Sequence, residues 1–203
     1  MNLLPSIHTS IIERELEKLI TPPIIVTVND FNEAAAKTFR ADMNKAANTG
    51  QKVIPVVIDS YGGAAYSVLS MIDTIKSMPV TVATIVEGKA MSCGSILFSY
   101  GTPGYRYAAP NSTLLIHQVA SWAQGKLDEL KASVEESARL NDMIYREMSV
   151  NCGKKPSFFV DEMEKRNNAD WYLNPKEGKS IGLVNYIKTP SYKVGIEVKH
   201  VFG

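Results

Sequence analysis

The residues of this chain best suited to chemistry are a serine set among small residues and a histidine behind an apolar run. Ser92 is surrounded by Gly88, Ala90, Gly94 and Ser95. It falls where a strand over Val80 to Val86 should give way to a helix starting near Met91. A strand-to-helix junction of that kind exposes a hydroxyl beside the first free N–H groups of the helix. His117 follows Leu114-Leu115-Ile116, and of the 3 histidines it alone has a hydrophobic-core context. A serine and a histidine that both end strands can meet at one sheet edge, as nucleophile and base. The duller readings are a helix-capping serine and a core histidine with satisfied nitrogens.

The elements that must position these residues follow from periodicity. Residues 7 to 20 carry apolar residues at helical spacing, from Ile7 through Ile11, Ile12, Leu16 and Leu19 to Ile20, and Thr21-Pro22-Pro23 stops the pattern. A short strand over Ile24 to Val28 precedes a helix over about Asn32 to Ala47, whose inner face is read as Ala34, Ala35, Phe39, Met43 and Ala46. Val53 to Ile58 is apolar throughout, as a central parallel strand should be. The turn Asp59-Ser60-Tyr61-Gly62-Gly63 leads into a helix over Ala64 to Lys76. Strand–helix alternation of this kind makes right-handed βαβ units. Both glycine pairs, Gly62-Gly63 and Gly88/Gly94, stand at C-terminal strand ends, where open α/β sheets place their sites.

Beyond Gln124-Gly125 the pattern changes to one long helix reaching Val150, with Leu127, Leu130, Val134, Ala138, Asn141, Ile144 and Met148 at three- and four-residue steps. A helix of about 25 residues is about 37 Å long, more than one small domain covers, so part of it should project onto another subunit. A shorter helix over Pro156 to Arg166, an extended Asp170 to Leu173, a helix with Pro175 at its first position and a last strand over Leu183 to Ile187 complete the chain's regular elements.

Composition narrows the class. With 203 residues, 45% hydrophobic and 21% charged, the chain can bury one sizeable core. A net charge of +1 carries no basic footprint for nucleic acid. Cys93 and Cys152 make no disulfide framework, and no apolar run is long enough to span a membrane. The expected location is cytoplasmic, with no cofactor and no metal.

Five stretches carry a family likeness: DSYGG at 59 to 63, GKAMSCGS at 88 to 95, APNSTLLIHQ at 109 to 118, QG at 124 and 125, and DWYLNPKEGKSIGLV at 170 to 184. Together, and in this order, they resemble the proteolytic subunit of the Clp protease, within the crotonase-like superfamily. The resemblance implies a fold of repeated β-α-β units with a projecting long helix. It divides the chain into an N-terminal helical segment (1–23), a peptidase domain (24–190) with a handle at about 124–166, and a C-terminal tail (191–203). It implies Ser92 as nucleophile, His117 as base, Asp170 as the orienting acid, and the backbone N–H groups of Gly63 and Cys93 as the oxyanion hole. Ser60, Tyr61, Gly62, Gln118 and Val119 would bind substrate as an extended strand. The implied partners are identical subunits in stacked heptameric rings, an AAA+ unfoldase that consumes the ATP, and unfolded polypeptides or peptides as substrates.

The residues add their own case. A backbone amide can approach an oxyanion closely only where no Cβ intrudes, which suits Gly62 and Gly63. Cys93 stands where the family usually has methionine and reads as a packing residue, since its amide serves whatever the side chain. Asp170 alone among Asp142, Asp161 and Asp170 precedes a strand-like apolar segment. Three departures are plain: Tyr61 replaces the proline of the family's Ser-Pro-Gly-Gly turn, the chain is a few residues longer around Lys154 to Asn168, and the N-terminal part lacks an obvious match to the segment that lines the family's axial pore. Competing readings are a serine–lysine peptidase with Lys89 as base, an acyl-CoA enzyme using the same two amides, and a non-catalytic ring component.

Overall fold

The structure is a computed structural model that describes residues 22–119 and 124–192. The expected helix over 7 to 20 and the tail from 193 lie outside the described residues. The elements in order are β1 (Val26–Val28), α1 (Glu33–Asn48), β2 (Val53–Ser60), α2 (Ala65–Lys76), β3 (Thr81–Met91), α3 (Cys93–Ser99), β4 (Arg106–Ala108), β5 (Thr113–Ile116), α4 (Leu127–Asn151), α5 (Phe158–Lys165), β6 (Trp171–Leu173), α6 (Pro175–Ser180) and β7 (Tyr186–Ile187). The sheet runs β1-β2-β3-β4-β7 with all neighbours parallel, and β5 joins it at β3 and carries β6 antiparallel. Alternating strands and helices thus form the α/β architecture that the periodicity implies.

One strand differs from expectation in a way that makes the site. β3 does not end at Val86. Ile58 pairs with Val86 but Ser60 pairs with Ala90, so β3 carries extra residues between two stretches of regular ladder. Gly88 sits in that bulge with φ 73°, and a Cβ there would lie 2.9 Å from Asp59 Oδ1. Bulges bend a strand and re-aim its later residues. The first half of β3 pairs with β4 (Thr84↔Arg106), whereas its last residues pair with β5 (Lys89↔Thr113, Met91↔Leu115). The next helix therefore starts at Cys93 rather than near Met91.

The helices pack with small shifts from their sequence phases. Asn32 caps α1, its Oδ1 accepting the Ala35 N–H at 2.8 Å. With that start fixed, Ala36, Phe39, Met43 and Ala46 turn inward and Ala34 is exposed, which corrects the expected inner face. Leu183 and Val184 are buried in a loop, so the last strand is only Tyr186–Ile187. α5 is likewise shorter than the expected 156 to 166.

α4 is divided. Leu140, Ile144, Tyr145, Met148 and Ser149 are buried in its second half, while Leu127 and Val134 in the first half are each 67% exposed. Its C-terminus is anchored by Arg106, 4% exposed, whose guanidinium donates to the carbonyls of Ser99 (3.1 Å), Asn151 (2.7 Å) and Gly182 (2.9 Å). These lie at or just beyond the C-terminal ends of α3, α4 and α6, so helix-end carbonyls supply the partners that a buried cation requires. Among the described residues no helix is long and apolar enough to cross a membrane.

Candidate active site

Ser92 occupies a backbone conformation that few side-chain-bearing residues adopt, φ 54° and ψ −120°. Such strain persists only where the surroundings enforce it. Here the Ser92 N–H donates to the Leu115 carbonyl of β5 at 2.9 Å, and the Ser92 carbonyl accepts the Ile96 N–H of α3 at 3.1 Å. Every residue of α3 is buried, so the helix cannot shift to relax the turn. The hydroxyl makes no capping bond, which removes the dull reading of Ser92 as a helix cap. This is a strand–serine–helix elbow that presents a hydroxyl at the sheet edge.

The glycine turn lies against it. A Cβ on Gly62 would fall 2.7 Å from Ser92 Cβ and 3.2 Å from its Oγ. A Cβ on Gly63 would fall 2.4 Å from the Phe31 carbonyl. The loop is fixed by three bonds: Gly62 N–H to Ser60 Oγ (3.0 Å), Ala64 N–H to the Phe31 carbonyl (2.7 Å), and the Cys93 thiol to the Gly63 carbonyl (3.2 Å). Burial pushes the Cys93 thiol above its ordinary pKa, so it serves as a neutral donor. Cys93 is the first residue of α3, so its N–H has no carbonyl four residues back within the helix.

His117 and Asp170 reach the same edge by register. β5 pairs with β6 through Leu115↔Tyr172 and Ile116↔Trp171, so His117 and Asp170 are the next residues along the two strands. β3 on the other side ends at Met91, opposite Leu115. Ser92, His117 and Asp170 therefore flank three adjacent strand ends, with neighbouring strands about 4.8 Å apart. His117 is half-buried and Asp170 exposed. Among the described residues no hydrogen bond joins the side chains of Ser92, His117 and Asp170 to one another.

Against known proteins, the family model described as Clp protease matches residues 9–191 of the 203. This chain belongs to the Clp protease family. It is accordingly a serine peptidase, and members of the Clp protease family assemble as oligomeric rings served by AAA+ unfoldases.

Within this Clp protease chain the rival groups are engaged elsewhere. Lys89 Nζ is 2.7 Å from Asp59 Oδ1, and that hydrogen bond raises its pKa, the opposite of what a lysine base needs. Asp161 is paired with Lys155 at 2.6 Å and Asp142 with Arg146 at 2.7 Å. Of the expected substrate-binding residues, Ser60 is buried, Gly62 abuts Ser92 and Tyr61 is exposed. Gln118 Nε2 donates to Asn168 Oδ1 at 2.8 Å. The Val119 N–H is already bound to Asn141 Oδ1 at 2.8 Å and is not free for a substrate carbonyl.

Two supporting residues escaped the sequence reading. Tyr145, one turn beyond Asn141 in α4, donates its hydroxyl to the His117 carbonyl. Burial holds its phenol far above the ordinary value, so it remains a donor. With Asn141 it ties the main chain on either side of Gln118 to the buried half of α4. The signal available was Asn141 itself, a polar residue inside an apolar stripe.

Proposed function

We propose that this chain hydrolyses peptide bonds of unfolded polypeptides, with Ser92 as nucleophile, His117 as general base and Asp170 as orienting acid. The Ser92 elbow, packed against Gly62, is the observation that carries the reading. Ser92 Oγ attacks the scissile carbonyl carbon as His117 takes its proton. The carbonyl π electrons move to oxygen, and the N–H groups of Gly63 and Cys93 receive that oxyanion. Collapse expels the amine, which takes the proton back from the imidazolium. Water then cleaves the acyl-serine ester by the same sequence. Asp170 holds the imidazole tautomer and stabilises its charged form. Tyr61, Gly62 and Gln118 border the cleft in which an extended substrate strand would lie.

The exposed Leu127 and Val134 of α4 favour assembly through that half of the helix, since an isolated chain would leave them in water. Stacked heptameric rings fed by an AAA+ unfoldase in the cytoplasm, the family's usual arrangement, are the proposed setting. Labelling with a fluorophosphonate and mapping the modified residue tests the site. Label on Ser92, and loss of at least about 10³-fold in hydrolysis in Ser92→Ala with assembly intact, is the expected result. Label on another serine, or activity persisting in the variant, would refute it.

A further inference from the structure

Lys89 lies in the bulged stretch of β3, three residues before Ser92, and its place there has a use other than proton transfer. Its ammonium is 2.7 Å from Asp59 Oδ1 and 4.2 Å from the centroid of the Tyr61 ring. We propose that Lys89, held by Asp59, is a positioning residue that pins Tyr61 and so sets the Gly62–Gly63 amides of the oxyanion hole. This rests on the reading above, in which the Gly63 and Cys93 N–H groups receive the oxyanion.

The loop needs such a hold. Gly62 and Gly63 stand side by side with φ 105° and 156°, and paired glycines have more conformations open to them than any other dipeptide. The bonds from Ser60, Phe31 and Cys93 fix the loop from its inner side. Tyr61 is its one large side chain, and it is 75% exposed. A cation over the ring face is attracted by the ring quadrupole, and that contact restrains the loop from outside. The ion pair itself crosses from β2 to β3, the two strands whose ends carry Gly63 and Ser92. Backbone geometry is adapted to it: only a glycine at 88 leaves the Asp59 carboxylate its position, since a Cβ there would meet Oδ1 at 2.9 Å.

The partly exposed pair adds little to folding. Its effect falls on the rate, because a hole displaced by a fraction of an ångström loses transition-state stabilisation without losing substrate affinity. In the assembled full-length protein, Lys89→Met should lower kcat about tenfold, the equivalent of about 1.4 kcal/mol. KM should stay within about twofold, with the thermal midpoint and assembly unchanged. Tyr61→Leu should lower kcat similarly, with the loss of its place at the cleft border read in KM, and kcat of the double variant should be no lower than that of either single one, because for kcat both remove the same contact. Lys89→Arg, which keeps the cation, should restore kcat to within about twofold. The rate of fluorophosphonate attachment to Ser92 should fall in parallel with kcat.

Wild-type kcat in Lys89→Met, or additive losses in the double variant, overturns the proposal. Inactivity of Lys89→Arg also overturns it, and would restore lysine as a base. Label missing from Ser92 in the wild-type protein defeats the underlying site reading instead. Normal labelling of Ser92 in Lys89→Met at an undiminished rate defeats the positioning role alone.

Discussion

The proposed nucleophile side and the proposed base side of the candidate site are held by different forces. On the nucleophile side, Ser92, Gly62, Gly63 and Cys93 are locked by backbone: a positive-φ serine, two glycines with no room for a Cβ, and a helix buried along its whole length. On the base side, His117 and Asp170 flank short strands, and polar tethers from Tyr145 and Asn141 in α4 hold the chain. The contacts that lock the first side come from one chain. The second depends on where α4 lies, and the outer half of α4 leaves Leu127 and Val134 exposed. The oxyanion side should therefore answer to single-atom steric changes, and the base side to whatever positions α4.

The sharpest test of the locked side is Gly63→Ala. Its methyl would meet the Phe31 carbonyl at 2.4 Å, so the loop must move. A fall in kcat of about 10²–10³, the usual cost of losing one oxyanion donor, is expected in peptide hydrolysis. Retained activity would mean that Gly63 is not part of the hole.

On the other side, charge is introduced far from any reacting atom. Leu130→Asp with Val134→Asp should split the assembly in light scattering and lower activity, while folding of the single chain persists. A fully active monomer would break the contrast, because the base side would then need no outside support. Tyr145→Phe tests the tether itself. Losing one hydrogen bond costs about 1 kcal/mol in stability, and activity should fall by about tenfold through a displaced His117. Equal activity with an unchanged pH profile would show that the tether is only structural.

The smallest effect concerns how α4 is seated on its neighbours. Burial alone would raise the pKa of Glu147, but the Lys76 ammonium at 2.8 Å and the Tyr100 hydroxyl at 2.6 Å outweigh it and leave the carboxyl below its ordinary value. A depressed folded-state pKa contributes stability above the unfolded value, and this is lost as pH falls through the folded one. The gap in thermal midpoint between wild type and Glu147→Gln should therefore be present at neutral pH and close as acid protonates Glu147. A gap independent of pH would remove the charge from the account.

Much of this was legible along the chain. The order of strands and helices, the strand–serine–helix junction at Ser92, the glycine pair and the length of α4 all follow from local period and punctuation, which neighbouring residues carry. The family likeness rests on the same stretches and is matched by the family model over residues 9–191. What local pattern cannot carry is register. The bulge at Gly88 prolongs β3 past Val86 and divides its partners between β4 and β5, because one strand's extra residues have meaning only against another's ladder. The same holds for Lys89, a candidate base by sequence distance that tertiary structure pairs with Asp59 and Tyr61. It holds also for Tyr145, whose hydroxyl reaches His117 only once α4 has packed. Sequence determined which residues were available for chemistry. Tertiary structure decided which of them are neighbours, because contacts between distant segments depend on sheet register and helix seating that no single segment contains.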